Sequence, residues 1–154
     1  MVEGTVHWLG PGWEDAMTLA RRWTFTLDAE FGHRNISPEV KTLVADSGVT
    51  TGIVSVQLTG STGALTTIEY EPGALADLRR ALDLLAPTTD EYEHNEAYHD
   101  GNGFSHVRSA VLKTSLAIPV IEGQLQIGTW QEVLLLNLDN RRRTREVVGV
   151  VVGE

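Results

Sequence analysis

The chain has 154 residues, 12 Lys and Arg against 21 Asp and Glu, no cysteine, and a net charge of −9. That length suits one domain with a core large enough to fold without staples. The acidic balance argues against nucleic-acid binding, which relies on cations to neutralise phosphate. The lack of cysteine removes disulfides and thiolate metal sites, so any metal must use imidazole and carboxylate ligands.

No apolar run reaches the ~20 residues that a membrane span needs. MVEGTVHWLGPGWEDAM has neither the basic nor the apolar region of a signal peptide. The expectation is a protein with no membrane segment, located in the cytoplasm.

Residues 1–22 read as an N-terminal extension, with a turn around Trp8, Gly10, Pro11, Gly12 and Trp13 and a short helix in EDAMTLARR. Residues 23–154 read as a single domain. WTFTLD, residues 23–28, alternates as a strand does. ISPEVKTLVADSG predicts a helix, capped by Ser37, with Pro38 in its first turn and Gly48 at its end. GIVSVQL, residues 52–58, predicts a strand. ALTTIEYE continues the extended structure after the GSTG turn at residues 60–63. Pro72 opens a second helix that runs to about Leu85, with Leu75, Leu78, Leu82 and Leu85 at helical spacing.

A short element is expected near VRSAVLK. LAIPV and QLQI flank a turn at Gly123. TWQEVLLLNL and TREVVGVVVG flank LDNRR and read as a hairpin. The expected fold class is α+β, with antiparallel sheets and two or three helices.

HNEAYHDGNGFSHVR, residues 94–108, concentrates ligand-type side chains: His94, His99, Asp100, Asn102 and His106. Three protein ligands and one open position make a catalytic zinc site. The spacing is not a strong zinc signature, so a loop has to bring the donors together, with Gly101 and Gly103 permitting its turns. The competing reading is a solvated acidic loop anchored by Tyr92 and Tyr98.

Glu69 and Glu71 face one side of an extended stretch. Glu71 suits the N-terminus of the following helix, which leaves Glu69 as the candidate catalytic carboxylate. GSTG offers Ser61 and Thr62 hydroxyls to an anion, without the lysine or spacing of a P-loop. In RRRTR, residues 141–145, most of the arginines read as a solvated hairpin end. Trp130 reads as core or interface, while Gln131 can hydrogen-bond a ligand.

HNEAYHDGNGFSHVRSAVL, SLAIPV and GTWQEVLLLNLDNRRRTREVVGVVVGE together resemble the YjbQ-like family. Its members are known as secondary thiamine-phosphate synthases or as uncharacterised proteins. The resemblance covers about residues 23–154. It implies an α+β fold of sandwich-like antiparallel sheets, assembled as a homotrimer around a polar pocket with a metal or anion.

The family's His-Asn, Asp-Gly-Asn and His correspond to His94–Asn95, Asp100–Asn102 and His106, with His99 a less regular member. On this reading His94, Asp100, His106 and His99 are metal ligands, and the metal is zinc. Glu69, Asp100 and Arg108 are catalytic. Ser61, Thr62, Asn102, Arg108 and Gln131 hold a small phosphorylated metabolite.

The implied activity joins a pyrimidine-methyl diphosphate to a thiazole phosphate and releases pyrophosphate. A metal-dependent hydrolase of phosphorylated or acyl metabolites is the second reading. A nonenzymatic metal- or anion-binding trimer is the third. At one place the chain departs from the family: many members carry His-Thr-Ser or His-Thr-Thr where this chain has Gly60-Ser61-Thr62.

Overall fold

The computed structural model describes residues 5–6 and 17–154. Its strands are β1 (Thr5–Val6), β2 (Met17–Leu27), β3 (Gly32–Asn35), β4 (Thr51–Thr59), β5 (Gly63–Glu69), β6 (Ser115–Ile121), β7 (Gln124–Leu125), β8 (Gln131–Asn137) and β9 (Arg143–Gly153). The helices are α1 (Ser37–Ser47), α2 (Pro72–Leu85), α3 (Glu93–Tyr98) and α4 (Gly103–Leu112). All strand pairs are antiparallel, in two sheets ordered β1-β2-β9-β4-β6-β7 and β3-β8-β5. The α+β class with sandwich-like antiparallel sheets is borne out, with four helices among the described residues rather than two or three.

Two apolar clusters explain the layering. The first joins Leu19, Phe25, Val54, Val56, Val147 and Val151 of the large sheet to Val133 and Leu135 of β8 and to Val40, Leu43 and Val44 of α1. The second joins Leu134 and Leu136 of β8 to Leu75 and Leu82 of α2. Alternate residues of β8 thus enter different clusters. A strand covered on both faces reads as a continuous apolar run, which is why VLLL does not alternate with polar residues.

This overturns the expected hairpin. β8 is the centre of the small sheet, while β9 pairs with β2 and β4 in the large one. Residues 138–142 lead from one sheet to the other. The turn-rich LDNRR segment is real, but β8 requires cover on both sides and β9 alternates buried with half-buried positions.

The N-terminal boundary also moves. β2 is a single strand through residue 23, in register with β9 from Met17↔Gly153 to Leu27↔Arg143. Residues 17–22 therefore belong to the sheet instead of an extension or a helix. The pull of eleven paired positions outweighs a weak helical pattern. Residues 14–16 of that expected helix, and the turn at residues 8–13, lie outside the described residues.

The helix at residues 37–47 forms as expected, and Gly48 ends it. Ser37 is not its cap. The Asn35 side chain accepts the Ser37 N–H at 2.9 Å, and the Ser37 hydroxyl accepts the Val133 N–H at 2.7 Å, tying α1 to β8. Glu71 does cap α2, accepting from the Gly73 and Ala74 N–H groups. No helix among the described residues is long and apolar enough to cross a membrane.

Candidate active site

Three segments meet in one open cavity of about 520 Å³. The loop between β4 and β5 supplies Gly60, Ser61 and Thr62. The α3–α4 segment supplies His94, Tyr98, Asp100, Asn102 and His106. The β8–β9 connection and the start of β9 supply Asp139, Arg143, Thr144 and Arg145.

The α3–α4 wall is assembled by short-range geometry. His94 and Tyr98 are four apart on α3, so they share a face, and their rings stack at 4.8 Å. Asn102 and His106 have the same spacing at the start of α4. The loop between the helices turns the two faces together, placing the His94 and His106 ring centroids 4.3 Å apart. Gly101 adopts φ +68° in this turn, as expected. Gly103 serves a different need, because a Cβ there would lie 2.4 Å from the Tyr92 Cβ.

The Asn95 side chain accepts the Gly103 N–H at 2.9 Å, and the Asn140 side chain donates to the Asp100 carbonyl at 2.8 Å. Ser109 on α4 donates to the Gly63 carbonyl at 2.6 Å, so the helix is fastened to β5 beside the GSTG loop.

His94 Nε2 lies 3.5 Å from Asp100 Oδ1. The buried Asn102 side chain sits between them. With its amide nitrogen toward them, it donates to His94 Nε2 at 3.2 Å and to Asp100 Oδ1 at 3.1 Å. Among the described residues no three His, Asp or Glu side chains converge tightly enough to hold an ion by themselves. His99 adopts φ +55° at the end of α3, is exposed, and does not line the cavity.

The opposite wall is buried and densely bonded. Arg145 donates through Nη2 to the Thr62 carbonyl and to its hydroxyl, both at 2.8 Å, and through Nε to Asn137 Oδ1 at 3.1 Å. Asp139 Oδ2 accepts from the Thr62 hydroxyl and from Arg143 Nε, each at 3.0 Å. Burial pulls the Arg145 guanidinium below its ordinary pKa; the Asp139 carboxylate opposes this and the Arg143 charge adds to it. It stays charged at neutral pH.

Several expected site residues stand elsewhere. Arg108 is two positions from His106 and so faces away from it across α4. It is buried, stacked on Phe104, and donates to the Ala86 carbonyl at 2.9 and 2.7 Å and to Asp83 Oδ1 at 2.9 Å. It fastens the end of α2 instead of facing the cavity. Glu69 lies at the far end of β5, six residues or about 20 Å from Gly63 at strand rise, opposite Gln131. Gln131 bonds the Thr67 hydroxyl at 2.8 Å and the Gly128 N–H at 3.0 Å. Neither lines the cavity. Ser61, Thr62 and Asn102 do.

Arg143, Arg145 and Asp139 were not among the expected ligands. One signal could have found Arg145: it is in phase with Val147 and Val151 on the buried face of β9, where a solvated arginine has no place.

The model of the family described as UPF0047 protein YjbQ-like matches residues 21–154. A UPF0047 protein of Methanothermobacter thermautotrophicus is 34% identical over 75% of this chain and 80% of its own length. The UPF0047 protein YjbQ of Escherichia coli O157:H7 is 31% identical over 85% and 96%. Among solved structures, a YbjQ-like protein of unknown function from Sulfolobus solfataricus superimposes with a TM-score of 0.85 at 27% identity, covering 90% of this chain and 99% of that one. A hypothetical protein from Aeropyrum pernix gives 0.76 at 27% identity over 86% and 98%. With the family model spanning nearly the whole described chain, this protein belongs to the UPF0047 YjbQ-like family.

Proposed function

We propose that the chain is a metal-assisted enzyme acting on a small phosphorylated metabolite, with its cation between His94, Asp100 and Asn102. One observation carries this reading. The three side chains meet at separations of 3.1, 3.2 and 3.5 Å. Ligands on tetrahedral zinc at bond lengths of about 2.0–2.1 Å stand about 3.3 Å apart. With the Asn102 amide nitrogen toward them these contacts are hydrogen bonds; turning the amide oxygen to His94 and Asp100 makes three lone-pair atoms face one space, an arrangement that a cation in that space stabilises.

Imidazole nitrogen and carboxylate oxygen are zinc ligands, and His94 and Asp100 supply one of each, with the Asn102 amide oxygen as the third donor once it turns toward them. His106 stands beside them as a further donor. When bound, such an ion supplies a Lewis acid that screens phosphoryl charge. Asn140 holds the Asp100 backbone, Tyr98 covers the His94 ring, and the hydroxyl of Ser61 faces the substrate space.

Transfer of a pyrimidine-methyl group from its diphosphate to a thiazole phosphate is the reaction to test first, because both reactants carry phosphoryl groups. The zinc-loaded chain should form thiamine phosphate and pyrophosphate from the two precursors. His94→Ala and Asn102→Ala should each lower the zinc content measured by elemental analysis. Full zinc stoichiometry in both variants rules out this cation site, and absence of both products rules out the transferase.

The same reading includes a homotrimer. Val148, Val150 and Val152 point away from the core on β9; their register partners are Arg22, Ala20 and Thr18 on β2 and Gln57, Ser55 and Ile53 on β4, with Pro119 and Ala117 beyond on β6. None of these belongs to either apolar cluster. An apolar centre of small side chains bordered by Arg22, Gln57 and Thr18 suits contact with further copies. Val150→Arg should release monomers in light scattering; an unchanged mass would remove that face from the interface.

A further inference from the structure

Arg143, Arg145 and Asp139 line the cavity, and two guanidinium edges and one carboxylate oxygen of theirs have no hydrogen-bond partner among the described residues. No hydrogen bond among the described residues uses Arg145 Nη1. A Cβ at Gly60 would stand 3.5 Å from it. Gly60 has φ +148°, a conformation that side-chain-bearing residues rarely adopt, so the loop leaves this edge uncovered. Arg143 engages Asp139 through Nε alone, and its side chain is 42% exposed.

Between the two lies the Asp139 carboxylate, with Oδ2 3.0 Å from Arg143 Nε and 4.0 Å from Arg145 Nη2. Its other oxygen, Oδ1, is buried and accepts no hydrogen bond among the described residues. A buried acceptor without a donor is unfavourable, and Asp139 is among the residues that line the cavity.

Arginine edges call for an oxyanion with several oxygens. A buried carboxylate beside them repels any oxyanion unless that anion carries a proton to share. Phosphate meets both demands: a monoester, with a second pKa of about 6, keeps a P–OH in mildly acidic solution, and inorganic phosphate retains one at neutral pH as well. Sulfate has the same shape and no proton.

We propose that the Arg143–Asp139–Arg145 wall is a subsite for a protonated phosphoryl group, whose oxygens take the two guanidinium edges while its P–OH donates to Asp139 Oδ1. This rests on the cavity being the substrate site and is independent of the cation. It places the phosphoryl contact in the β8–β9 connection instead of at Arg108.

The test is calorimetric titration of the full chain with inorganic phosphate and with sulfate at about pH 6, near the second pKa of a phosphate monoester and below that of inorganic phosphate, on protein stripped by chelator and on zinc-loaded protein. The expected result is at least tenfold tighter binding of phosphate than sulfate in both states. Arg143→Gln should weaken phosphate at least tenfold, while Arg141→Gln, outside the cavity, leaves it unchanged. Asp139→Asn, checked for folding by its melt, should abolish the preference over sulfate.

Equal affinity for the two anions overturns the proposal, as does an Arg143→Gln affinity equal to that of Arg141→Gln. Phosphate binding that appears only with zinc and ignores Arg143→Gln overturns this subsite and leaves the cation reading standing. Discrimination by stripped protein that takes up no zinc does the reverse.

Discussion

On the β8–β9 side of the cavity, Arg145 and Asp139 are 7% and 1% exposed and are held by Thr62, Asn137 and Arg143. On the α3–α4 side, the His94 and Asp100 side chains keep 31% and 36% of their surface exposed and meet at 3.5 Å. The first wall is rigid before any ligand arrives, because moving one member strands the others in a low-dielectric interior. The second is a six-residue helix and a loop whose imidazoles can adjust by small rotations. On the proposed reading, an anion would meet preset donors, and a cation would be gathered by side chains that close around it.

Substitutions should separate the two walls by size of effect. Asp139→Ala strips Arg145 and Arg143 of their carboxylate and leaves a buried charge uncompensated, so urea unfolding should show a loss of about 3–5 kcal/mol. A loss below 1 kcal/mol would mean that the wall is not preorganised.

Arg108→Ala comes next. It removes charged hydrogen bonds from the Ala86 carbonyl, though its partner Asp83 is half exposed and adds little. The expected loss is about 2–3 kcal/mol, with phosphate affinity unchanged in titration. Weakened phosphate binding without a stability loss would return Arg108 to the site.

Tyr92 donates to the Pro87 carbonyl at 2.7 Å, and Gly103 packs on it, so Tyr92→Phe should lose about 1 kcal/mol at neutral pH. Burial and the Asp90 charge raise its phenol above the ordinary value of 10.0. The folded chain then binds the phenolic proton more tightly than the unfolded one. That share of stability is present below pH 10 and is lost as pH rises through the folded value. The gap between wild type and Tyr92→Phe should narrow above pH 10, and a constant gap would refute the linkage.

His94→Ala should move the unfolding midpoint least, by under about 0.5 kcal/mol in metal-free protein. A shift as large as that of Asp139→Ala would erase the contrast between the walls.

Much of this was legible from residue order. α1 and α2 followed from Pro38, Gly48, Pro72 and the leucine spacing, and Glu71 from its place before the helix. The loop was expected to gather His94, His99, Asp100 and His106; His94 and His106 do come together, while His99 stays outside the cavity. Arg108 was misplaced because two residues along a helix is a half-turn and more, a rotation that matters only once the core face is known. Glu69 was singled out because Glu71 suits the helix start, but six strand residues carry it away from the cavity. Arg145 was passed over inside a run of arginines, although its phase with Val147 and Val151 marks it as inward.

Local periodicity and turn chemistry were enough to set the helices, most strands and the composition of the histidine segment, because those depend on neighbours within a few positions. Which strands share a sheet, and which charges share a cavity, depended on where apolar area could be buried on both faces of β8. That is a property of the whole chain at once. It sent β8 and β9 into different sheets and, in doing so, swung Asp139, Arg143 and Arg145 round to face the histidines.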